Sequence, residues 1–365
     1  MLIDLVCGAR PNFMKIAPLI RAIRSYNERA FTAPSIRYRL VHTGQHYDGK
    51  MSDVFFSELG IPAPDINLDV GSGTHADQTA RVMMAFEPVC LRERPDWVVV
   101  VGDVNSTMAC TLVASKLGIR VAHVEAGLRS FDRTMPEEIN RVVTDALADL
   151  LLTPSPDADE NLAREGIPSS RIRLVGNIMI DTLLANLEEA RRSPLPNRLG
   201  LHPKGFAYVT LHRPSNVDHE DNLGLIMREL IRLACRLPVV FPVHPRTRKM
   251  LAQYRITTEG EANLKLLDPI GYRDSLNLTE NARFVLTDSG GLQEESTYFL
   301  TPCLTLRPNT ERPITVQLGT NKLTRPEQLA ADIEEILQDG RRGGQIPRYW
   351  DGRTAERVLN ALLET

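Results

Sequence analysis

Three carboxylates stand where a parallel sheet would need a reason to keep them. The stretch from Val98 to Leu152 reads VVVVGDVNSTMACTLVASKLGIRVAHVEAGLRSFDRTMPEEINRVVTDALADLLL. Its β-branched run ends on Gly102-Asp103, as a strand buried on both faces would. Asn105 or Ser106 is placed to cap the following helix, and Gly118 to close it. The next apolar run, Ile119 to Val124, ends on Glu125-Ala126-Gly127. After a loop, Pro136 suits the first position of a helix that begins Pro136-Glu137-Glu138. Ligands of open parallel sheets bind outside the carboxyl ends of the strands, so Asp103, Glu125 and Glu137 would face one crevice. Charges there seldom serve packing, and clustered carboxylates suit proton transfer. On the blander reading, Glu137 only favours its helix start and pairs with Arg141 four residues on. That reading fits Glu138 better.

Two other stretches suit an anion. Gly8-Ala9-Arg10-Pro11 follows a first strand, Leu2 to Cys7, and opens a helix from Asn12 to Arg24 that carries Lys15. A glycine turn leading into a helix offers free N–H groups and a positive dipole end, with Arg10 and Lys15 as cations. Taken alone, the segment reads first as an ordinary turn with two surface cations. The second stretch is Asp288-Ser289-Gly290-Gly291, between a strand, Phe284 to Thr287, and a helix, Leu292 to Phe299. Paired glycines let backbone N–H groups approach a phosphate closely. Glu295 could take hydrogen bonds from a ribose, and Arg312 could add a second cation. Such a turn also arises for steric reasons alone, but with Arg10, His212 and the carboxylates it points to a nucleotide-diphosphate site.

The elements that must position these groups alternate strand and helix along the whole chain. Tyr38 to His42 reads as a second strand, ending on His42-Thr43-Gly44-Gln45-His46-Tyr47-Asp48. His42 and His46 lie on a loop without HExxH spacing or a third ligand, so they read as structural or substrate-contacting and not as zinc ligands. Ile172 to Gly176 reads as the first strand of a second half, which places the boundary near Ser169. Strands then follow at Phe206 to Leu211, ending on His212, at Val239 to Val243, Leu264 to Leu267, Phe284 to Thr287 and Cys303 to Leu306. Two such halves with no antiparallel run predict two doubly wound α/β domains facing a central cleft.

Composition excludes several classes. The 365 residues suffice for two domains and a large core. A net charge of -3 and a pI near 6.3 leave no basic footprint for nucleic acid or an anionic membrane. No apolar run approaches the ~18 residues of a membrane span, and Asp4 inside the first apolar run argues for a strand there and not a signal peptide. Cys7, Cys90, Cys110, Cys235 and Cys303 show no CxxC pairing and read as reduced thiols of a cytoplasmic protein. Gly71-Ser72-Gly73-Thr74-His75-Ala76 matches GxGxxA, but it does not follow the first strand, and Asp96 precedes a strand instead of ending one. Nicotinamide binding is disfavoured.

The blocks GARPNFMKIAPL, HTGQHYD, VVVGDVNST, HVEAGLRSFDRTMPEEINR, VGNIMIDTL, TLHRPSN, PVHP, LTDSGGLQEE and TERP run almost end to end. In them the chain resembles the non-hydrolysing UDP-N-acetylglucosamine 2-epimerases. That resemblance implies the GT-B fold of two Rossmann-like domains, residues 1–169 and 170–346, with 347–365 a helix returning to the first. It implies interconversion of UDP-GlcNAc and UDP-ManNAc without nicotinamide or metal, in a homodimer. It implies Asp103, Glu125, Glu137 and His212 as catalytic groups, and Arg10, Lys15, Ser289, Gly290, Gly291, Glu295 and Arg312 as substrate-binding groups. Ser215 stands where many members have Glu, and Ser275 near where many carry an aromatic against the uracil. The QHYD loop lacks the QHR pattern of members activated by a second UDP-GlcNAc. Rival readings are the same chemistry on a UDP-2,3-diacetamido uronic acid, a hydrolysing 2-epimerase, a GT-B glycosyltransferase, and a nucleotide-sugar binding module.

Overall fold

The computed structural model describes residues 1–29, 35–44, 59–257, 260–339 and 343–365, so the Gln45-His46-Tyr47-Asp48 stretch lies outside the described residues. The chain divides into two units, Met1–Thr182 with Arg348–Thr365, and Leu183–Pro347.

The first unit carries β1 (Leu2–Cys7), β2 (Arg37–His42), β3 (Ile66–Asn67), β4 (Trp97–Val101), β5 (Arg120–Val124), β6 (Leu150–Thr153) and β7 (Ile172–Leu174). Among the described residues they form one sheet in the order β3-β2-β1-β4-β5-β6-β7, every neighbour parallel. β1, β4 and β6 are buried at every position, which accounts for their continuous apolar runs. The strand at Ile172–Leu174 pairs with β6 and so completes the first sheet. The expected boundary at residue 169 therefore moves to Thr182, because a strand belongs to the sheet whose hydrogen bonds it takes and not to the sequence half it opens.

The second unit carries β8 (Ala207–Thr210), β9 (Val239–Pro242), β10 (Leu264–Leu267), β11 (Phe284–Thr287), β12 (Cys303–Leu306) and β13 (Asn321–Thr324). Their order is β10-β9-β8-β11-β12-β13, again parallel throughout. β13 escaped the sequence reading: Asn-Lys-Leu-Thr has one apolar residue, and it joins an edge by pairing with β12. The connection around Leu195 is less superficial than its Pro and Gly content suggests. Leu195 and Leu201 pack with Phe206, Tyr208 and Val285 in a buried cluster.

In each sheet the chain winds outward from its first strand and then crosses to that strand's other side. The reversal falls between β1 and β4 in the first unit and between β8 and β11 in the second. Loops leaving the carboxyl ends of the two strands at a reversal run apart, and the crevice they leave is where ligands of such sheets bind.

The last helix, Thr354–Glu364, belongs to the first unit, and its start is tied by a carboxylate from another helix. Asp181 accepts Thr354 N–H at 3.1 Å and Ala355 N–H at 2.8 Å. Burial raises the Asp181 carboxyl above its usual range, and the two backbone donors pull it back only in part. Removing this distant cap by Asp181→Ala is expected to cost roughly 0.5–2 kcal/mol and to free the terminal helix for early proteolysis. Chemical denaturation with limited digestion measures both, and an unchanged midpoint with an uncut terminus would refute the tie.

Candidate active site

The first unit's candidate groups gather where its sheet reverses. After β1, the side chain of Asn12 folds back: Oδ1 accepts the N–H groups of Gly8 (3.1 Å) and Ala9 (3.0 Å), and Nδ2 donates to Val101 O at 2.9 Å. The sequence reading left those N–H groups free for an anion. They are spent on Asn12 instead, because the turn must also be stitched to the end of β4. One turn into the same helix, Lys15 is buried and forms an ion pair with Glu125. The Arg10 side chain lies outside the described residues.

Glu125 follows β5 with φ of 70°, a left-handed backbone that a non-glycine residue adopts at a cost. Its N–H donates to Leu152 O, so the ladder to β6 holds it there. Between Glu125 and Lys15 sits Gly102, with φ of 66°. A Cβ on Gly102 would lie 2.6 Å from Lys15 Nζ and 3.5 Å from Glu125 Oε2. Only glycine leaves room for the pair.

Asp103, the next residue, is clamped from one helix, Pro136–Leu147. Arg141 Nη1 meets Asp103 Oδ2 at 2.5 Å, and Asn140 Nδ2 donates to the Asp103 carbonyl at 2.9 Å. The Asp103 side chain remains 31% exposed, so it still reaches solvent or a ligand. Arg141 is also gripped by Glu138, whose carboxylate accepts Ser130 N–H (2.9 Å), Ser130 Oγ–H (3.0 Å) and Phe131 N–H (2.9 Å). Burial alone would raise the Glu138 carboxyl. The backbone donors and Arg141 outweigh it and leave the carboxyl below the usual range. The structural reading set aside for Glu138 is thus the observed one, with Arg141 three residues on and not four. Glu137 lies exposed on the same first turn, and among the described residues no hydrogen bond or ion pair engages its carboxylate. Asn105 and Ser106 do not cap their helix; Val104 precedes it without a side-chain bond. Their polar groups go sideways, Asn105 to Gln78 and Asn140, and Ser106 to Thr43.

The second unit repeats the arrangement between β8 and β11. Asp288 is fully buried and accepts His212 N–H (3.0 Å), Arg213 N–H (2.8 Å) and Asn216 Nδ2–H (3.1 Å), while His212 Nδ1 lies 2.7 Å from its Oδ1. Burial pushes this carboxyl up, but His212 and the backbone donors outweigh that and hold it below the usual range. With Nδ1–H donated to a carboxylate, His212 presents Nε2 outward from a ring 42% exposed. The sequence reading used Asp288 only as part of a turn. Its position one residue past a strand, much as Asp103 stands two past β4, was the available signal.

The helix Gly290–Tyr298 starts at the glycines themselves, with Ser289 as an N-cap that makes no side-chain bond. Its first N–H groups are therefore open to an anion. A Cβ on Gly290 would strike Arg312 Nη1 at 2.9 Å, while the space beside Gly291 is empty. Arg312 is held against the helix start by Glu294 (2.8 Å) and by Glu311. Glu295, 5% exposed, has its carboxyl raised to about 8, first by burial, then by the Glu294 charge, with Tyr272 pulling it back only in part. Ser275 Oγ is 2.8 Å from the hydroxyl of the buried Tyr208, so its side chain is engaged with a phenol from the neighbouring strand.

The first unit thus holds carboxylates fixed by cations, suited to moving protons. The second holds an uncapped helix start, an arginine and an oriented imidazole, suited to a diphosphate. Among the described residues no group of three or more His, Cys, Asp or Glu side chains could hold a metal ion.

The family model for UDP-N-acetylglucosamine 2-epimerase matches residues 29–363. A UDP-N-acetylglucosamine 2-epimerase of Methanocaldococcus jannaschii is 42% identical, with 99% of each chain covered. A solved structure of the UDP-GlcNAc 2-epimerase of that organism, in complex with UDP-GlcNAc and UDP, is 40% identical, with 100% of both chains covered and a TM-score of 0.89. A UDP-2,3-diacetamido-2,3-dideoxy-D-glucuronate 2-epimerase of Pseudomonas aeruginosa is 39% identical, with 98% of each chain covered. With carboxylates at one switch point, an anion cradle at the other and this likeness over nearly its full length, the chain belongs to the UDP-N-acetylglucosamine 2-epimerase family.

Proposed function

We propose that the protein interconverts UDP-GlcNAc and UDP-ManNAc, releasing no free sugar. The observation that carries this reading is the pair of carboxylates, Glu125 on Lys15 and Asp103 on Arg141, at the ends of adjacent strands. The proton at C2 of the sugar is not next to a carbonyl, so enolisation gives no route. Elimination does: a carboxylate takes the C2 proton, the C–H electron pair becomes the C1=C2 bond, and the C1–O bond breaks with its electrons leaving on UDP. The intermediate is 2-acetamidoglucal. A UDP oxygen then adds back to C1 while an acid protonates C2 on the opposite face.

Two faces require two proton-transfer groups, and Asp103, Glu125 and Glu137 are the candidates. Each acid or base supplies about 10²–10⁴ in rate. His212 Nε2, Arg312 and the N–H groups at Gly290-Gly291 would take up charge on the departing diphosphate. Glu295 would meet the ribose hydroxyls. Lys15 holds Glu125 in place, while Arg10 and Ser289 complete the anion set. The chemistry moves a proton and a leaving group and calls for no cofactor.

A second reading, the same elimination on a UDP-2,3-diacetamido uronic acid, is favoured by the Pseudomonas aeruginosa relative. We also read the protein as a homodimer. Met84 and Leu91 on the helix His75–Arg92 are 73% and 67% exposed, apolar side chains that a second copy would cover. A cytoplasmic location suits five unpaired cysteines, Cys235 among them exposed.

The deciding experiment incubates the protein with UDP-GlcNAc in D₂O and follows the sugar by NMR. UDP-ManNAc deuterated at C2 is expected. Free ManNAc would mean hydrolysis instead, and an unchanged sugar would refute this substrate. Asp103→Asn should retain UDP affinity and lose about 10²–10⁴ in turnover; near-normal kinetics would remove Asp103 from proton transfer. Glu295 leaves a mark on stability. Its folded carboxyl titrates near 8 against an unfolded value near 4.5, so the folded state holds the extra proton and stability falls as pH rises between them. Glu295→Gln should therefore raise the melting temperature at pH 8 but not at pH 5, and an equal effect at both would contradict the assignment.

A further inference from the structure

His123 lies on β5, two residues before Glu125, and is completely buried, as is Asp145 on the helix Pro136–Leu147. Its Nδ1 is 2.6 Å from Asp145 Oδ1, and its Nε2 is 2.8 Å from the carbonyl of Gly102 on the neighbouring strand end. Both partners are acceptors, so both ring nitrogens carry hydrogen while Asp145 is ionised. Asp145 Oδ2 accepts Gly127 N–H at 3.0 Å and meets Arg129 Nη1 at 2.7 Å; Arg129 in turn forms two bonds to Glu165, 2.8 and 2.7 Å. Imidazolium and guanidinium face two carboxylates, and the cluster is neutral.

We propose that this cluster is the positioning device that sets Asp103 and Glu125 against each other for the reaction proposed above, on which the inference rests. The imidazolium holds the Gly102 carbonyl, one residue before Asp103. The carboxylate on its other side holds the N–H of Gly127, two residues after Glu125. One buried ion pair thus braces both strand ends, which turn through left-handed backbone at Gly102 (66°) after β4 and at Glu125 (70°) and Gly127 (79°) after β5. Such backbone persists only where its surroundings over-determine it. A buried charged cluster stabilises a fold little better than an apolar one of the same shape, so its contribution here is orientation. A misplacement of about 1 Å at a reacting group costs on the order of 10²-fold in rate.

Two isosteric replacements separate positioning from mere packing. The amide nitrogen of Asn falls near His Nδ1, and that of Gln near His Nε2. His123→Asn therefore keeps the bond to Asp145 and releases Gly102, whereas His123→Gln keeps Gly102 and releases Asp145. On UDP-GlcNAc the Asn variant should lose about 10²-fold in kcat with KM within twofold, and the Gln variant less than tenfold. Both should bind UDP as the parent does. Nitrogen-15 spectra of the histidine-labelled parent should show one ring with hydrogen on both nitrogens, each hydrogen-bonded, missing in both variants. Equal losses in the two variants that follow their melting temperatures, or an unaffected Asn variant, would overturn the brace, as would a neutral ring at position 123. An inactive parent would instead strike the epimerase reading itself, and the brace as a device for that reaction with it.

Discussion

The ion pair between Lys15 and Glu125 is the constraint around which the first unit is built. Both side chains are almost wholly withdrawn from water, 7% and 4% exposed. Withdrawing two charges from water costs several kcal/mol per ion before their attraction returns it, and leaving either one alone costs roughly 3–5 kcal/mol. The helix after β1 and the end of β5 are therefore locked to each other. Everything nearby gives way to that pair: Gly102 lacks a side chain because there is no volume for one, Glu125 accepts a left-handed backbone, and Asn12 stitches the turn that delivers Lys15.

The second unit solves the same problem with dipoles in place of a second buried cation. Asp288 is as deep as Glu125, but it is surrounded by two backbone N–H groups, an amide and an imidazole. Those donors orient His212 and keep the carboxylate charged without a lysine. Glu295 shows what burial does without them. With a like charge at Glu294 and few donors, its carboxyl rises to about 8. The contrast between these two acids is one of surroundings, and it divides them into an oriented anion and a neutral, hydrogen-bonding acid at neutral pH.

In both sheets the candidate groups collect where strand order reverses, β1 against β4 and β8 against β11. Helices on either side of that point leave in opposite directions, so the loops between them are spared from packing and free to carry polar chemistry. The price is a set of backbone N–H and carbonyl groups without ladder partners. Side chains such as Asn12, Asn140 and His123 supply those partners, which is why so many polar residues near the site are buried.

Much of this was legible in the chain. Unbroken β-branched runs marked strands buried on both faces, their spacing marked crossover helices, and the acids closing two of those runs marked one end of the sheet as chemical. Those inferences depend on local periodicity and on the cost of leaving a charge at a strand end, both properties of sequence. What tertiary structure decided was pairing. No spacing rule says that Lys15 meets Glu125 and not an anion, that Arg141 also grips Asp103 while Glu137 lies exposed, or that Ile172–Leu174 completes the first sheet. Partners 38 or 110 positions apart are chosen by which strands become neighbours and which loops then share a buried volume, and only the folded chain sets that volume.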